Sequence, residues 1–167
     1  KNMKIRVPPE KTAELTALAL GYIATPISFA ETFTAIQTGI VDGAIGSGGE
    51  GYYSTFRDVV KYFVEYRDHF ELWYLMMNSG QWNSLSPEDQ SIIQKRVAEL
   101  ETKRWADAEG REGYYRQKLT DYKIKVITPT DSELSAIAKK VRENVWPQVE
   151  SYVGADLMNL LRKSVSQ

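Results

Sequence analysis

The chain has 167 residues, with 21 lysines and arginines against 22 aspartates and glutamates, one histidine and no cysteine. Its hydrophobic content of 43% is that of an ordinary globular domain and excludes a disordered or disulfide-stapled chain. A formal net charge of −1 provides no long-range field to gather phosphates, which makes nucleic acid a poor candidate partner.

The first sixty residues alternate predicted strands with predicted helices. Short strands are expected at residues 4–7, 25–27 and 41–46. Helices are expected at residues 10–20, 28–40 and 48–60. Because strands that alternate with helices usually pair in parallel, this part of the chain predicts a mostly parallel sheet flanked by helices, an α/β fold.

Residues with capping preferences mark the expected ends of these helices. Gly21 follows the first helix, where a glycine commonly ends one, and Leu15 and Leu18 are expected on its buried face. Ser28 and Glu31 have the spacing of a capping box at the start of the second helix.

The second half of the chain begins with an aromatic segment. Residues 62–77 show an alternating pattern that predicts two strands joined near residues 67–69. A helical pattern then runs from Ser86 to Tyr122 and, if unbroken, would be ~50 Å long, more than the width of a compact globule of this size. We therefore expect it to break near Gly110 and Gly113 or to bridge two lobes.

The remaining elements are a strand and two or more helices. The strand is expected at residues 123–127. Thr130 and Glu133 form a second predicted capping box, for a helix that kinks or ends near Pro147. A last helix is expected at residues 156–163.

The sequence carries no signature of catalysis, and no cofactor is predicted. Cysteine chemistry is impossible, and His69 has no flanking motif that would make it the base for a serine. With one histidine and no cysteine, the sequence also has too few of the usual ligands for a zinc site. The sequence therefore predicts a protein that is not an enzyme.

Two side chains suggest a binding site, although alternatives remain open for both. Arg6 lies on a strand that is expected to be buried, where a guanidinium needs an anionic partner. The alternatives are a structural salt bridge or water-facing edge position, and a fork at the carboxyl end of the strand that holds a ligand carboxylate. Phe29 is either ordinary core or the apolar wall of the same cleft.

Three blocks of sequence stand out: KIRVP (residues 4–8), TPISFAE (residues 25–31) and AIQTGIVDG (residues 35–43). In order and spacing they resemble the C-terminal half of the DctP-type solute-binding proteins of TRAP transporters. Members of that family are extracytoplasmic receptors whose two α/β lobes close on a small organic acid. The resemblance implies a periplasmic receptor, with a signal peptide outside this chain, whose partners are a small carboxylate ligand and the TRAP permease in the membrane.

The resemblance also implies roles for particular residues. Arg6 matches the arginine that grips the ligand carboxylate, Phe29 matches an aromatic residue that packs on the ligand, and His69 falls near a family histidine at the hinge. Gly46 stands where many members carry an asparagine that reaches the ligand, so the identity of the acid cannot be taken from the family. The predicted replacements for that donor are Ser47, Tyr52 and Trp73.

The same resemblance implies a division of the chain between two lobes. Residues 1–69 and 123–167 are expected to form the second ligand-binding lobe, and residues 70–122 to be part of the first, whose N-terminal portion is absent. An unpaired sheet edge and an apolar helix face would then predict a paired or exchanged oligomer. The alternative function is a ligand-sensing or structural interaction module on the same fold, without a transport role.

Overall fold

The structure is a computed structural model that describes residues 2–67, 69 and 72–165. The strands are β1 (Lys4–Val7), β2 (Ile23–Pro26), β3 (Gly43–Ala44), β4 (Tyr62–Val64) and β5 (Lys125–Ile127). The helices are α1 (Lys11–Ala19), α2 (Phe29–Gln37), α3 (Gly48–Gly51), α4 (Ser79–Ser84), α5 (Pro87–Asp121), α6 (Asp131–Asn144), α7 (Trp146–Val153) and α8 (Ala155–Ser164). A π-helical turn over Tyr52–Phe56 continues from α3. Among the described residues, no helix has both the length and the apolar content needed to cross a membrane.

The first three strands form the predicted parallel sheet, in the order β2-β1-β3. Central strand β1 buries Ile5 and Val7 toward one face, so the alternation of side chains directs Arg6 to the other. In the register of the sheet, Arg6 pairs with Thr25 on one side and Ala44 on the other. Strands β4 and β5 pair in parallel as a separate two-stranded sheet.

The predicted helix ends are confirmed at two of three places. Gly21 follows α1 with a φ of +89°, a conformation that glycine adopts at little cost. At α6, Thr130 Oγ1 accepts from the backbone N–H of Glu133, and Glu133 accepts from the Thr130 N–H at 2.8 Å. The box at Ser28 is wrong, because its hydroxyl donates to the Glu31 carboxylate instead of accepting from the backbone.

The predicted buried face of α1 is only partly confirmed. Leu15 is buried, whereas Leu18 is exposed and Ala17 takes its place in the interior. The difference arises because α1 packs against β1 and β2 and also against α6, so the helix buries more than one stripe. Leu15 packs in one of two core clusters, with Val145, Val149 and Met158. The second cluster contains Tyr52, Phe56, Leu119 and Ile124.

The aromatic segment does not form the two predicted strands. Its first part is β4, but residues 72–77 have no regular secondary structure. Part of the second predicted strand and of the turn before it, including Phe70 and Asp68, lies outside the described residues. A strand exists only beside a partner that completes its hydrogen bonds, and no strand of the described chain pairs with residues 72–77.

Helix α5 is unbroken through both of its glycines, so the first of the two alternatives, a break there, is wrong, and the second, a bridge between two lobes, stays a prediction. Its 35 residues begin after Ser86, whose hydroxyl accepts from the Asp89 N–H at 3.1 Å, and correspond to a length of ~52 Å. Glycine in a helix costs only about 1 kcal/mol relative to alanine, which the neighbouring turns offset. Leu119, near the carboxyl end, is the one residue of this helix that is fully buried.

A buried carboxylate attaches the end of α5 to the small sheet. Glu65, 5% exposed, follows β4 and accepts from Arg116 Nε at 2.7 Å and Nη2 at 2.9 Å. The Thr128 hydroxyl donates to the same carboxylate at 2.6 Å. Burial raises the pKa of Glu65, but the hydrogen bonds from Arg116 and Thr128 and the nearby positive charges outweigh burial and hold it below its ordinary value.

We expect Glu65→Gln to lower the free energy of unfolding by about 2 kcal/mol at neutral pH, since it removes a charge-assisted pair. A lowered folded-state pKa means that this stabilisation is present above the ordinary carboxyl pKa and is lost as the pH falls through the folded value. Urea unfolding at neutral pH and at about pH 3 should therefore show a difference that is smaller in acid. The control is Glu112→Gln, which removes an exposed pair with Arg67 at 3.7 Å and should change little. A pH-independent difference would contradict the assignment.

Candidate functional site

Arg6 occupies the carboxyl edge of the three-stranded sheet. Its Nε donates to the Ile27 carbonyl oxygen at 2.8 Å, and its Nη1 donates to the Ile45 carbonyl oxygen at 3.3 Å. These carbonyls belong to residues that directly follow β2 and β3. The guanidinium is therefore held between the ends of both neighbouring strands, and only 3% of the residue is exposed.

The charge of Arg6 has no protein counter-ion among the described residues. No carboxylate of this part of the chain lies within ion-pair distance of the guanidinium. The described residues therefore do not form the structural salt bridge that was one of the alternatives for Arg6. Burial lowers the pKa of the Arg6 guanidinium, an effect that the nearby Tyr52 only partly opposes. With Nε and one N–H of Nη1 bound to carbonyls, the end of the guanidinium keeps N–H groups that can donate to an anion.

Aromatic rings continue the site from Arg6 toward helix α2. Phe29, at the start of α2, is 49% exposed and lies with its ring centroid 5.3 Å from that of Phe56. The Phe56 ring is in turn 5.6 Å from the ring of Tyr52. Phe29 is therefore exposed enough to form the apolar wall of a ligand cleft. Phe56, in contrast, is fully buried in the core.

Tyr52 is one of the predicted replacements for the family's asparagine, and its hydroxyl is bonded to the backbone. It is buried, and its hydroxyl donates to the Ala44 carbonyl oxygen, next to the Ile45 carbonyl that Arg6 uses. This arrangement fixes the backbone that follows β3. We therefore regard Tyr52 as a positioning residue beneath the site rather than as the donor that was predicted.

The loop after β3 has an unusual backbone. Gly46, Ser47 and Gly48 all have positive φ, at +82°, +130° and +57°. Positive φ is rare for a residue with a side chain, and such strain concentrates at functional sites. A Cβ on Gly51 would lie 2.7 Å from the Ser47 Cβ, so the loop needs glycine at that position as well.

The contacts of Arg6 involve Ile27, Ile45 and Tyr52. They do not include the other two predicted site residues, Trp73 and His69. Trp73 is 85% exposed, in the irregular residues 72–77, and His69 is exposed in the chain after β4. The structure therefore brings together Arg6, Phe29, Tyr52 and the Gly46–Gly48 loop. Sequence analysis missed the carbonyls of Ile27 and Ile45, because any residue type can supply a backbone acceptor.

We expect Gly46→Asn to fold, at a cost of about 1 kcal/mol, because asparagine tolerates a left-handed backbone. A Cβ at this position would lie 3.5 Å from Pro8 Cγ, an ordinary van der Waals contact, so space does not forbid the change. Gly46→Val is the comparison and should be clearly less stable, since a β-branched residue is strained at positive φ. Thermal unfolding measures both variants. A Gly46→Asn protein that does not fold would show that this loop does not correspond to the asparagine-bearing loop of the family.

Taken together, these features define an α/β binding lobe. A parallel sheet carries a cation at its carboxyl edge, which is where open α/β sheets hold their ligands. Comparison with known proteins identifies the family. The chain belongs to the DctP family, described as bacterial extracellular solute-binding protein, family 7, whose model matches residues 1–151.

Individual relatives agree with this assignment. A solute-binding protein of Roseobacter denitrificans is 31% identical over 156 residues, which cover 89% of this chain and 47% of the relative. The sialic acid-binding periplasmic protein SiaP of Vibrio cholerae is 27% identical over 153 residues, or 91% of this chain and 42% of its own length. The chain thus spans about half the length of the curated relatives it matches. These relatives are named as solute-binding proteins, not as enzymes.

Solved structures show the same fold. A TRAP periplasmic solute-binding protein from a Sulfitobacter species, solved with bound β-D-galacturonate, is 27% identical with a TM-score of 0.76, covering 98% of this chain and 54% of that one. A second, from Sulfurospirillum deleyianum with bound succinate, has a TM-score of 0.83 at 20% identity and covers 96% of this chain and 53% of that one. The predicted α/β fold and the family resemblance are thereby confirmed.

Proposed function

We propose that this chain supplies the arginine-bearing lobe of a periplasmic receptor that captures a small organic acid and delivers it to a TRAP-type membrane permease. The receptor binds its ligand without a chemical step. The observation that carries the proposal is Arg6, a buried cation held by two backbone carbonyls, with N–H groups left to donate. The relatives support it, since the names of those with a stated ligand include sialic acid and C4-dicarboxylates, both of which are carboxylates.

The geometry explains why a carboxylate suits this position. Two parallel N–H donors at the end of a guanidinium match the two oxygens of a carboxylate in a bidentate pair. Because the carbonyls of Ile27 and Ile45 already hold the side chain, little rotamer freedom remains to be lost on binding. The exposed face of Phe29 offers the ligand body an apolar surface.

We also propose a division of the chain between two lobes that follows the one implied by the resemblance, residues 1–69 with 123–167 against residues 70–122, except that the second boundary lies inside α5. Support comes from the contrast between the two ends of α5. Its carboxyl end packs on α3 and β5, with Leu119 fully buried. Its amino half and residues 72–77 bear a series of exposed apolar side chains, which favours a lobe boundary inside α5 rather than at its end.

A thermal-shift screen of small carboxylates on the complete gene product tests the receptor function. An acid present at 100 times its dissociation constant adds about 2.7 kcal/mol to the stability of the native state, and for a protein of this size raises the melting temperature by roughly 5–10 °C. The uncharged amide of each acid is the control and should leave the melting temperature unchanged. A panel in which no carboxylate shifts the melting temperature would favour the alternative, a structural interaction module, over a receptor.

A further inference from the structure

Thr25 is the neighbour of Arg6 in the sheet. The two residues are register partners on β2 and β1, so their side chains emerge on the same face, from strands about 4.8 Å apart. The Ile27 carbonyl that anchors Arg6 lies two residues beyond Thr25 on the same strand extension. The Thr25 hydroxyl and the Arg6 guanidinium therefore belong to one small region of the edge.

The hydroxyl of Thr25 is available to a ligand. It forms no hydrogen bond with the described residues, whereas Thr32 and Thr38 donate theirs to carbonyls four residues earlier, at 2.9 and 2.7 Å. Thr25 is half-buried, and every fully buried side-chain nitrogen or oxygen of the described chain has a hydrogen-bond partner. The Thr25 oxygen is therefore not sealed inside the protein, and it lies on the same face of the sheet as the Arg6 side chain.

We infer that Thr25 contacts the bound acid next to Arg6, and that the acid carries an oxygen on the carbon adjoining its carboxylate, as 2-hydroxy and 2-oxo acids do. This inference rests on the proposed receptor function and deepens it. The separation between neighbouring strands places the hydroxyl close to the carboxylate rather than at the far end of the ligand. Since the bidentate pair with Arg6 uses both carboxylate oxygens, the next ligand atom that can pair with such a hydroxyl is an oxygen on the adjoining carbon.

The test compares matched acids on matched variants of the complete gene product. The acids are four pairs of increasing size, each with and without the oxygen: lactate and propionate, malate and succinate, 2-oxoglutarate and glutarate, mandelate and phenylacetate. The variants are Thr25→Val, which keeps the side-chain shape but loses the hydroxyl, and Thr25→Ser, which keeps the hydroxyl. Thr34→Val, at an exposed position of α2, is the control. Calorimetry gives the dissociation constants, and thermal unfolding checks the fold.

We expect the wild type to prefer the oxygen-bearing member of the pair that fits, and Thr25→Val to bind that member about tenfold more weakly, the usual effect of one lost hydrogen bond. Thr25→Ser should restore most of the affinity, while the affinity for the other member and the melting temperature should not change. A Thr25→Val variant that weakens both members equally, or neither, would overturn the inference while leaving the receptor function standing. If no acid binds the wild type, the proposed function fails and the inference fails with it.

Discussion

Arg6→Ala should bind organic acids at least about 30-fold more weakly than the wild type while keeping its fold. Loss of one partner from a desolvated charge pair usually costs 2–5 kcal/mol, which corresponds to a weakening of this size or more. Stability should not fall in parallel, since Arg6 is a buried cation without a counter-ion among the described residues. Isothermal calorimetry and urea unfolding measure the two effects separately.

Two further variants make this result specific. Arg6→Lys should recover only part of the affinity, because an ammonium group cannot bind both the carbonyl anchors and a carboxylate with a planar fork. Arg96→Ala is the control, because among the described residues the ion pair of Arg96 is an exposed one with Glu99 on α5, at 2.8 Å. Wild-type affinity in Arg6→Ala would remove the central observation behind the proposed receptor.

The second large effect concerns the exposed apolar band, which we define as residues 72–77 together with Ile92, Leu100 and Trp105 on α5. Within it, Trp73 is 85% and Met76 86% exposed. A large amount of exposed apolar surface drives association in water. We therefore expect the 167-residue chain, expressed by itself, to form dimers or larger species at micromolar concentration, as measured by sedimentation velocity.

A charge-bearing variant shows whether this band is responsible. Trp73→Lys combined with Met76→Lys should shift the sedimentation profile to the monomer, because placing two ammonium groups in an apolar contact is costly. Leu160→Lys is the matched control, since Leu160 is 64% exposed on α8 but lies outside the band. A wild-type chain that stays monomeric, or a Leu160→Lys protein that dissociates equally well, would contradict the assignment of the interface.

Local sequence signals predicted the elements whose partners are near in the chain. The alternation around β1 and the glycine after α1 depend on neighbouring residues, so pattern and structure agree there. The capping box at Thr130 is likewise local, because a side chain and a backbone group three residues apart complete it.

Features that depend on residues far away in the chain could not be predicted from the local sequence pattern. Residues 72–77 have the alternation of a strand, but pairing requires a neighbour that the pattern cannot reveal. The glycines of α5 suggested a break, because the sequence shows that glycine destabilises a helix. It does not show that the helical turns on both sides of these glycines stabilise the helix enough to offset that cost. At the site, residue type indicated Arg6, whereas the carbonyls that aim it and the buried position of Tyr52 follow only from tertiary structure.

The uninterrupted length of α5 has a mechanical consequence. The helix is fixed at its carboxyl end, where Leu119 is buried and Arg116 holds Glu65, while its amino end lies some 30 residues away. A straight helix of that span acts as a lever arm of ~48 Å, so a rotation of about 10° at the fixed end displaces Pro87 by about 8 Å. Leu119 shares a core cluster with Tyr52, which in turn holds the backbone at Ala44. A small rotation of this core cluster beside the guanidinium would therefore move the far tip of α5 by several ångströms.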